Sequence, residues 1–157
     1  SNIYLNDTIV EAKYRILSPD AKIPMAVLLV STLPTGDEDV SVEKVEFGVK
    51  YACSYDIKEH MSLGANIGAI STCFDSRKEI RSLASISLGI EMNDKISTFF
   101  ELYTENPEGE PSQPVMDCGL TCLITPVIQA DVYLGKGLND KTVDVIVGCG
   151  LSFRVGL

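Results

Sequence analysis

The feature that most constrains this chain is an apolar–polar alternation at every second position, clearest in its last stretch, Val143 to Val155, V-D-V-I-V-G-C-G-L-S-F-R-V. Val143, Val145, Val147, Cys149, Leu151, Phe153 and Val155 fall on one side of an extended strand. Asp144, Gly148, Gly150, Ser152 and Arg154 fall on the other. A period of two belongs to β-structure, because successive side chains of a strand point to opposite faces.

The same layout recurs upstream. Thr8 to Leu17 sets Val10, Ala12, Tyr14 and Ile16 against Glu11, Lys13 and Arg15. Met25 to Leu33 is apolar on both faces and weakly phased. Val45 to Tyr55 places Phe47, Val49, Tyr51 and Cys53 opposite Glu46, Gly48, Lys50 and Ala52. Further strands are expected at Ser62 to about Ile70, Leu83 to Met92, Ile96 to Glu105, Val115 to Ile124 and Ile128 to Gly135. Between them lie turn formers such as S-P-D-A-K-I-P, L-P-T-G-D-E-D, N-D-K, N-P-E-G-E-P-S-Q-P, T-P and K-G-L-N-D-K-T, with a short turn around Ile57 to His60 and a charged loop D-S-R-K-E-I-R. No helical periodicity appears. The expectation is an all-β fold, an antiparallel up-and-down meander of about nine strands in a single domain over residues 1–157.

Loop lengths carry a second message. The connections around 34–44, 73–82, 106–114 and 136–142 are long, those around 56–61, 93–95 and 125–127 are short, and 18–24 is intermediate. Long loops at one end and short turns at the other is the layout of an outer-membrane barrel. Such barrels use even strand numbers, so nine strands predict further strands before Ser1.

Period two alone does not say which face points inward. A soluble lipocalin-like barrel puts the apolar face inside, and a membrane barrel reverses this. Eight of the twelve glycines (48, 64, 68, 89, 119, 135, 148 and 150) lie on the polar face. Glycine weakens a water-facing strand, whereas small residues suit a crowded concave wall. The apolar face, by contrast, carries almost no formal charge, as lipid demands. The polar face is therefore expected to line a lumen, with Glu11, Lys13, Arg15, Glu46, Lys50, Asn66, Glu91, Glu101, Asp117, Gln129, Asp131, Asp144 and Arg154 along it. These charges either pair across strands to fill the barrel or line a path for solute. Tyr14, Tyr51, Tyr55 and Phe153 are candidates for an interfacial girdle on the other face.

Composition narrows the partners. A net charge of −9 argues against nucleic acid, whose binding is built from Lys and Arg on phosphates. The longest apolar run, Ile23 to Leu33, falls short of the roughly 20 residues of a spanning helix, so a membrane role requires strands. Five cysteines, at 53, 73, 118, 122 and 149, fit no zinc spacing, and His60 alone cannot complete one. They read as small apolar packing residues. No metal site, cofactor or catalytic residue is expected: G-x-S-x-G, H-E-x-x-H and a phosphate loop are all absent. Paired carboxylates such as Glu101 with Asp117, on neighbouring strands, have the chemistry of a hydrolytic pair, but carboxylates are common in a barrel lumen and the pair reads as lining.

D-T-I-V-E-A-K-Y-R-I-L, L-P-T-G-D, F-E-L-Y-T-E, G-L-T-C-L-I-T-P-V-I-Q-A-D-V-Y-L-G-K-G-L-N-D and the terminal V-G-C-G-L-S-F-R-V together resemble the outer-membrane transporter-like family named for the meta-pathway of phenol degradation. The G-L-T-x-L-I-T-P to G-L-N-D segment is the most specific part. The resemblance implies the C-terminal portion of a roughly twelve-stranded barrel passing small, often aromatic or hydrophobic molecules, with the bilayer and those solutes as partners. The chain departs from common barrel usage in its cysteines and in ending V-G-L without a terminal aromatic. The leading expectation is a channel or passive transporter in the bacterial outer membrane. The alternative is a soluble extracellular or periplasmic antiparallel β-protein that binds an apolar ligand or assembles through its sheet edges.

Overall fold

The computed structural model describes residues 4–18, 20–39, 41–42, 44–72 and 80–155. Cys73 and most of the expected D-S-R-K-E-I-R loop lie outside these residues. Nine strands form one antiparallel sheet in sequence order, and the described residues contain no helix. The strands are β1 (Thr8–Arg15), β2 (Met25–Leu33), β3 (Glu46–Lys58), β4 (Met61–Thr72), β5 (Ile80–Glu91), β6 (Ile96–Pro107), β7 (Gln113–Thr125), β8 (Ile128–Gly137) and β9 (Ile146–Phe153). The sheet curls into a half-barrel in which each strand pairs only with its sequence neighbours, leaving one edge of β1 and one of β9 unpaired among the described residues.

The boundaries differ from expectation for local physical reasons. β3 runs past Tyr55 because a register shift between Asp56 and Lys58 absorbs the residue that breaks the alternation, and only Glu59 and His60 remain as the turn. His60 takes φ 64°, a left-handed conformation that His tolerates better than most residues. β5 begins at Ile80, which brings Arg81 out of the expected loop and opposite Ile70. β6 ends on Pro107, and Pro114 is the second residue of β7, positions where a strand tolerates a missing N–H. β9 is shorter than the alternation suggests: Val143 is held outside it, its carbonyl accepting from Gly137 N at 3.1 Å.

Registers fix the faces. Glu11 lies opposite Val30, Val30 opposite Gly48 and Gly48 opposite Ile70, so one face is followed from strand to strand. All eight buried residues among those described (Ala26, Val30, Thr32, Glu46, Ile70, Val115, Asp117 and Gly135) belong to the face that carries the charges and glycines. That face is the concave one. The other is convex and almost uniformly apolar: Leu29, Ile67, Phe100, Leu120, Val132, Val147 and Leu151 are all exposed on it. Among the described residues the only strand charges there are Lys58 and Lys136, both at strand ends. The eight glycines expected on the inner face are there, joined by Gly137 opposite Val115.

Candidate functional site

The concave wall gathers most of the charged residues expected on it. Glu11, Lys13 and Arg15 stand on β1, Glu46 and Lys50 on β3, Asn66 on β4, Glu91 on β5, Glu101 on β6, Asp117 on β7, and Gln129 and Asp131 on β8. The other two lie outside the strands. Asp144 sits in the bend before β9, and Arg154 follows β9, its backbone N–H donating to Val127 O at 2.8 Å.

Across β1 to β5 the charges find one another. Lys50 Nζ contacts Glu11 Oε1, although the two are separated in sequence by an entire hairpin arm. Arg81 contacts Glu46 and places Nε 3.4 Å from Glu105 Oε2, bridging β3 and β6 across β4 and β5. Glu46 is buried, so an uncompensated carboxylate there would be costly, and Arg81 supplies the compensation. Asn66 Nδ2 donates to Ser85 Oγ at 2.9 Å. At the short-turn end Glu91 Oε2 lies 3.1 Å from His60 Nδ1, beside a groove of about 310 Å³ lined by Asp56, Lys58, Glu59 and Ser62.

The wall from β6 to β9 is built differently. Glu101 lies opposite Asp117, which in turn faces Gly135. The neighbouring row runs Gly89, Phe99, Gly119, Tyr133, Gly148. Aromatic residues thus alternate with glycines, and the rings lie over the glycine backbone. A Cβ at Gly119 would sit 2.6 Å from the Phe99 ring, and one at Gly148 would run into the Tyr133 ring. Phe99, which interrupts the polar alternation of β6, therefore occupies the wall by covering Gly119. Tyr103 stands two residues the other way, opposite Val115. Phe99, Tyr103, Tyr133, Arg81 and Glu105 were absent from the expected lining. A strict period of two from Glu101 and Asp131 reaches Tyr103, Glu105 and Tyr133, whereas Arg81 was hidden in what read as a charged loop.

The long-loop end is braced at two corners. Asp7, just before β1, accepts from Thr35 N (2.9 Å), Gly36 N (2.8 Å), Ser41 Oγ (2.6 Å) and Val42 N (2.6 Å). Desolvation pushes its pKa up, but these hydrogen bonds outweigh it and hold the carboxyl below the ordinary value of 3.8. Leu5 and Asp37 add a reciprocal pair: Leu5 N donates to Asp37 Oδ2 at 2.7 Å, and Asp37 N to Leu5 O at 2.8 Å. Gly36 approaches so closely that a Cβ would stand 2.5 Å from Leu5 O, which explains the glycine in L-P-T-G-D. At the second corner Asn139 Nδ2 donates to Ser112 O (2.8 Å) while its Oδ1 accepts from Thr142 Oγ1 (2.7 Å), tying the loop after β8 to the loop before β7.

Cys53, Cys118, Cys122 and Cys149 are free thiols on the convex face. Of the expected girdle, Tyr14, Tyr55 and Phe153 lie toward the short-turn ends of their strands, whereas Tyr51 sits near the middle of β3. Among the described residues no group of three or more His, Cys, Asp or Glu side chains is placed to hold a metal ion.

Two motifs quoted from the sequence, L-P-T-G-D and G-L-N-D, thus turn out to be the loop braces of a half-barrel. A search of curated proteins returns no match. Residues 2–155 match the family described as "Putative MetA-pathway of phenol degradation". With nearly its whole length matched, the chain belongs to that family.

Proposed function

We propose that this chain forms the wall of an outer-membrane β-barrel that lets small, apolar or aromatic molecules cross passively. The observation that carries the reading is the inverted distribution of polarity: buried and charged residues lie on the concave face, and a nearly charge-free apolar surface faces outward. In water such a convex surface would be a very large exposed apolar patch. In a bilayer it is the ordinary lipid-facing band.

Dimensions support the same reading. β3 to β7 carry 12 or 13 residues each. At ~3.3 Å per residue that is about 40 Å of strand, enough at a tilt of about 40° to cross a ~25 Å apolar band. The free edges of β1 and β9 would have to be paired by further strands in lipid, where open backbone groups are not tolerated. No residue of the wall is assigned a catalytic role.

The test is reconstitution. The folded protein should float with liposomes, migrate differently on a denaturing gel before and after heating, and render liposomes permeable to small aromatic solutes. A protein that stays monodisperse and monomeric without detergent would overturn the membrane reading. One that inserts but passes neither solute nor current would overturn transport alone.

A further inference from the structure

Glu101 and Asp117 sit directly opposite each other on β6 and β7, an arrangement that holds Cβ atoms about 5 Å apart. Like charges so placed are unfavourable unless a cation lies near both or one of the two holds a proton. Asp117 is only 7% exposed, and its Oδ1 is buried with no hydrogen-bond partner. A carboxylate oxygen withdrawn from water and left unpartnered needs an explanation. The protein offers no cation for it: no Lys, Arg or His stands on the concave side of β6, β7, β8 or β9 among the described residues. Arg81, the cation nearest in register, is already engaged with Glu46 and Glu105.

The surroundings of the pair are aromatic. Two residues along in one direction are Phe99 on β6 and, across Gly119, Tyr133 on β8; two residues along in the other is Tyr103. Phe99 and Tyr133 stand on the concave wall beside Gly119 and Gly148, each ring occupying the space that a side chain at the glycine would take. Ring faces are electron-rich and attract cations, most strongly cations that are poorly hydrated. A chelated metal ion is a poorer fit, since two carboxylates are not joined here by a third ligand.

We propose that the β6–β8 wall is a binding site for a small organic ammonium ion, held by Glu101 and Asp117 and packed against Phe99, Tyr103 and Tyr133. The assignment rests on the reading that the concave face lines an open lumen. It gives that lumen a preference: organic cations dwell on this side, and small organic anions are disfavoured.

The test uses the full chain folded in detergent, titrated calorimetrically with choline, with its uncharged isostere 3,3-dimethylbutan-1-ol, and with Mg²⁺. Choline should bind at least tenfold more tightly than the isostere, and E101Q/D117N should weaken choline binding at least tenfold. Heat-modifiable migration establishes that each variant is folded. If D117N does not fold, E101Q alone, at a partly exposed position, should cost severalfold. Absence of choline binding to the wild type, equal binding of the isostere, or unchanged affinity in folded E101Q would each overturn the proposal. Displacement of choline by micromolar Mg²⁺ would also overturn it, assigning the pair to a metal. Bilayer conductance separates the two readings: current without choline binding removes the cation site and leaves the channel. Choline binding without current removes transport and leaves the site.

Discussion

The two halves of the concave wall use the same strand geometry to opposite electrostatic ends. From β1 to β5 the inward charges are Glu11, Lys13, Arg15, Glu46, Lys50, Asp56, Arg81 and Glu91, four of each sign. From β6 to β9 they are Glu101, Glu105, Asp117 and Asp131, all negative. The first half pairs four of its eight charges within itself, through Lys50–Glu11 and Arg81–Glu46. Among the described residues the second leaves all but Glu105 without a cation and interleaves them with rings over glycine. One half therefore behaves as structure and the other as a surface that awaits a ligand, which identical strand pairing alone would not suggest.

The largest effect should come from testing the premise that both halves share one inside. Leu120 is exposed on the convex face in the middle of β7, and Thr121 beside it points inward. Leu120→Arg should destabilise the protein in lipid by about 3 kcal/mol, the cost of a charge at the bilayer midplane. Thr121→Arg should cost less than about 1 kcal/mol, because the lumen tolerates charge. Urea titration in lipid vesicles measures both. Equal costs would remove the distinction between faces on which the comparison stands.

Next is the brace between the halves. Arg81 joins Glu46 of the first half to Glu105 of the second. Arg81→Gln leaves the buried Glu46 carboxylate without its counter-ion and should cost about 2 kcal/mol, less than for a fully buried pair because Arg81 keeps part of its surface in solvent. Arg81→Gln/Glu46→Gln should recover most of that loss. A double variant no better than the single would mean that Arg81 acts through packing.

Glycine substitutions probe the halves at finer grain. A Cβ at Gly64 would meet the Ser87 hydroxyl at 2.6 Å, a small group that can rotate away. A Cβ at Gly119 would meet both the Phe99 ring and Val132 O, the latter at 2.5 Å and part of the backbone. Gly64→Ala should therefore be nearly neutral, while Gly119→Ala should cost about 1–2 kcal/mol by overpacking. The same change should weaken choline binding if the Phe99 ring is displaced from the wall.

Most of the fold was legible because its signal is local. The period of two is a property of each strand, and Val147, Cys149 and Leu151 advertise their face without reference to any neighbour. β2 was the exception: Leu28 and Leu29 are both apolar, and only the pairing of Leu28 with Lys50 shows which of them points inward. The partners within the wall were not legible, since Arg81 meets Glu46 only through registers accumulated over β3, β4 and β5. Phe99 looked like a defect in the pattern because its partner, Gly119, lies in another strand. Cross-strand pairs are set by register, and register depends on bulges such as that at Asp56 and Lys58 which no alternation reveals.

The smallest effect concerns the mouth, where the first half has a brace of its own. Asp7 lies outside the strands, and its four hydrogen bonds hold its pKa below 3.8. A carboxyl whose folded pKa is depressed contributes stability above its unfolded pKa and loses it as pH falls through the folded value. The loop at 34–42 should therefore be equally protected at pH 7 and pH 5 and should loosen only below the ordinary carboxylate range. Asp7→Asn keeps the size but exchanges a carboxylate with two acceptor oxygens for an amide with one. Since Asp7 Oδ1 serves Thr35, Gly36 and Ser41 while Oδ2 serves Val42, the amide nitrogen must confront a donor in either orientation. Limited proteolysis within 34–42 should then be about tenfold faster at pH 7, with little further change on acidification, while global unfolding shifts hardly at all. The loop braced by Asn139 should keep its wild-type cleavage rate, and if both loops loosened together the mouth would be one cooperative unit instead of two independently fastened corners.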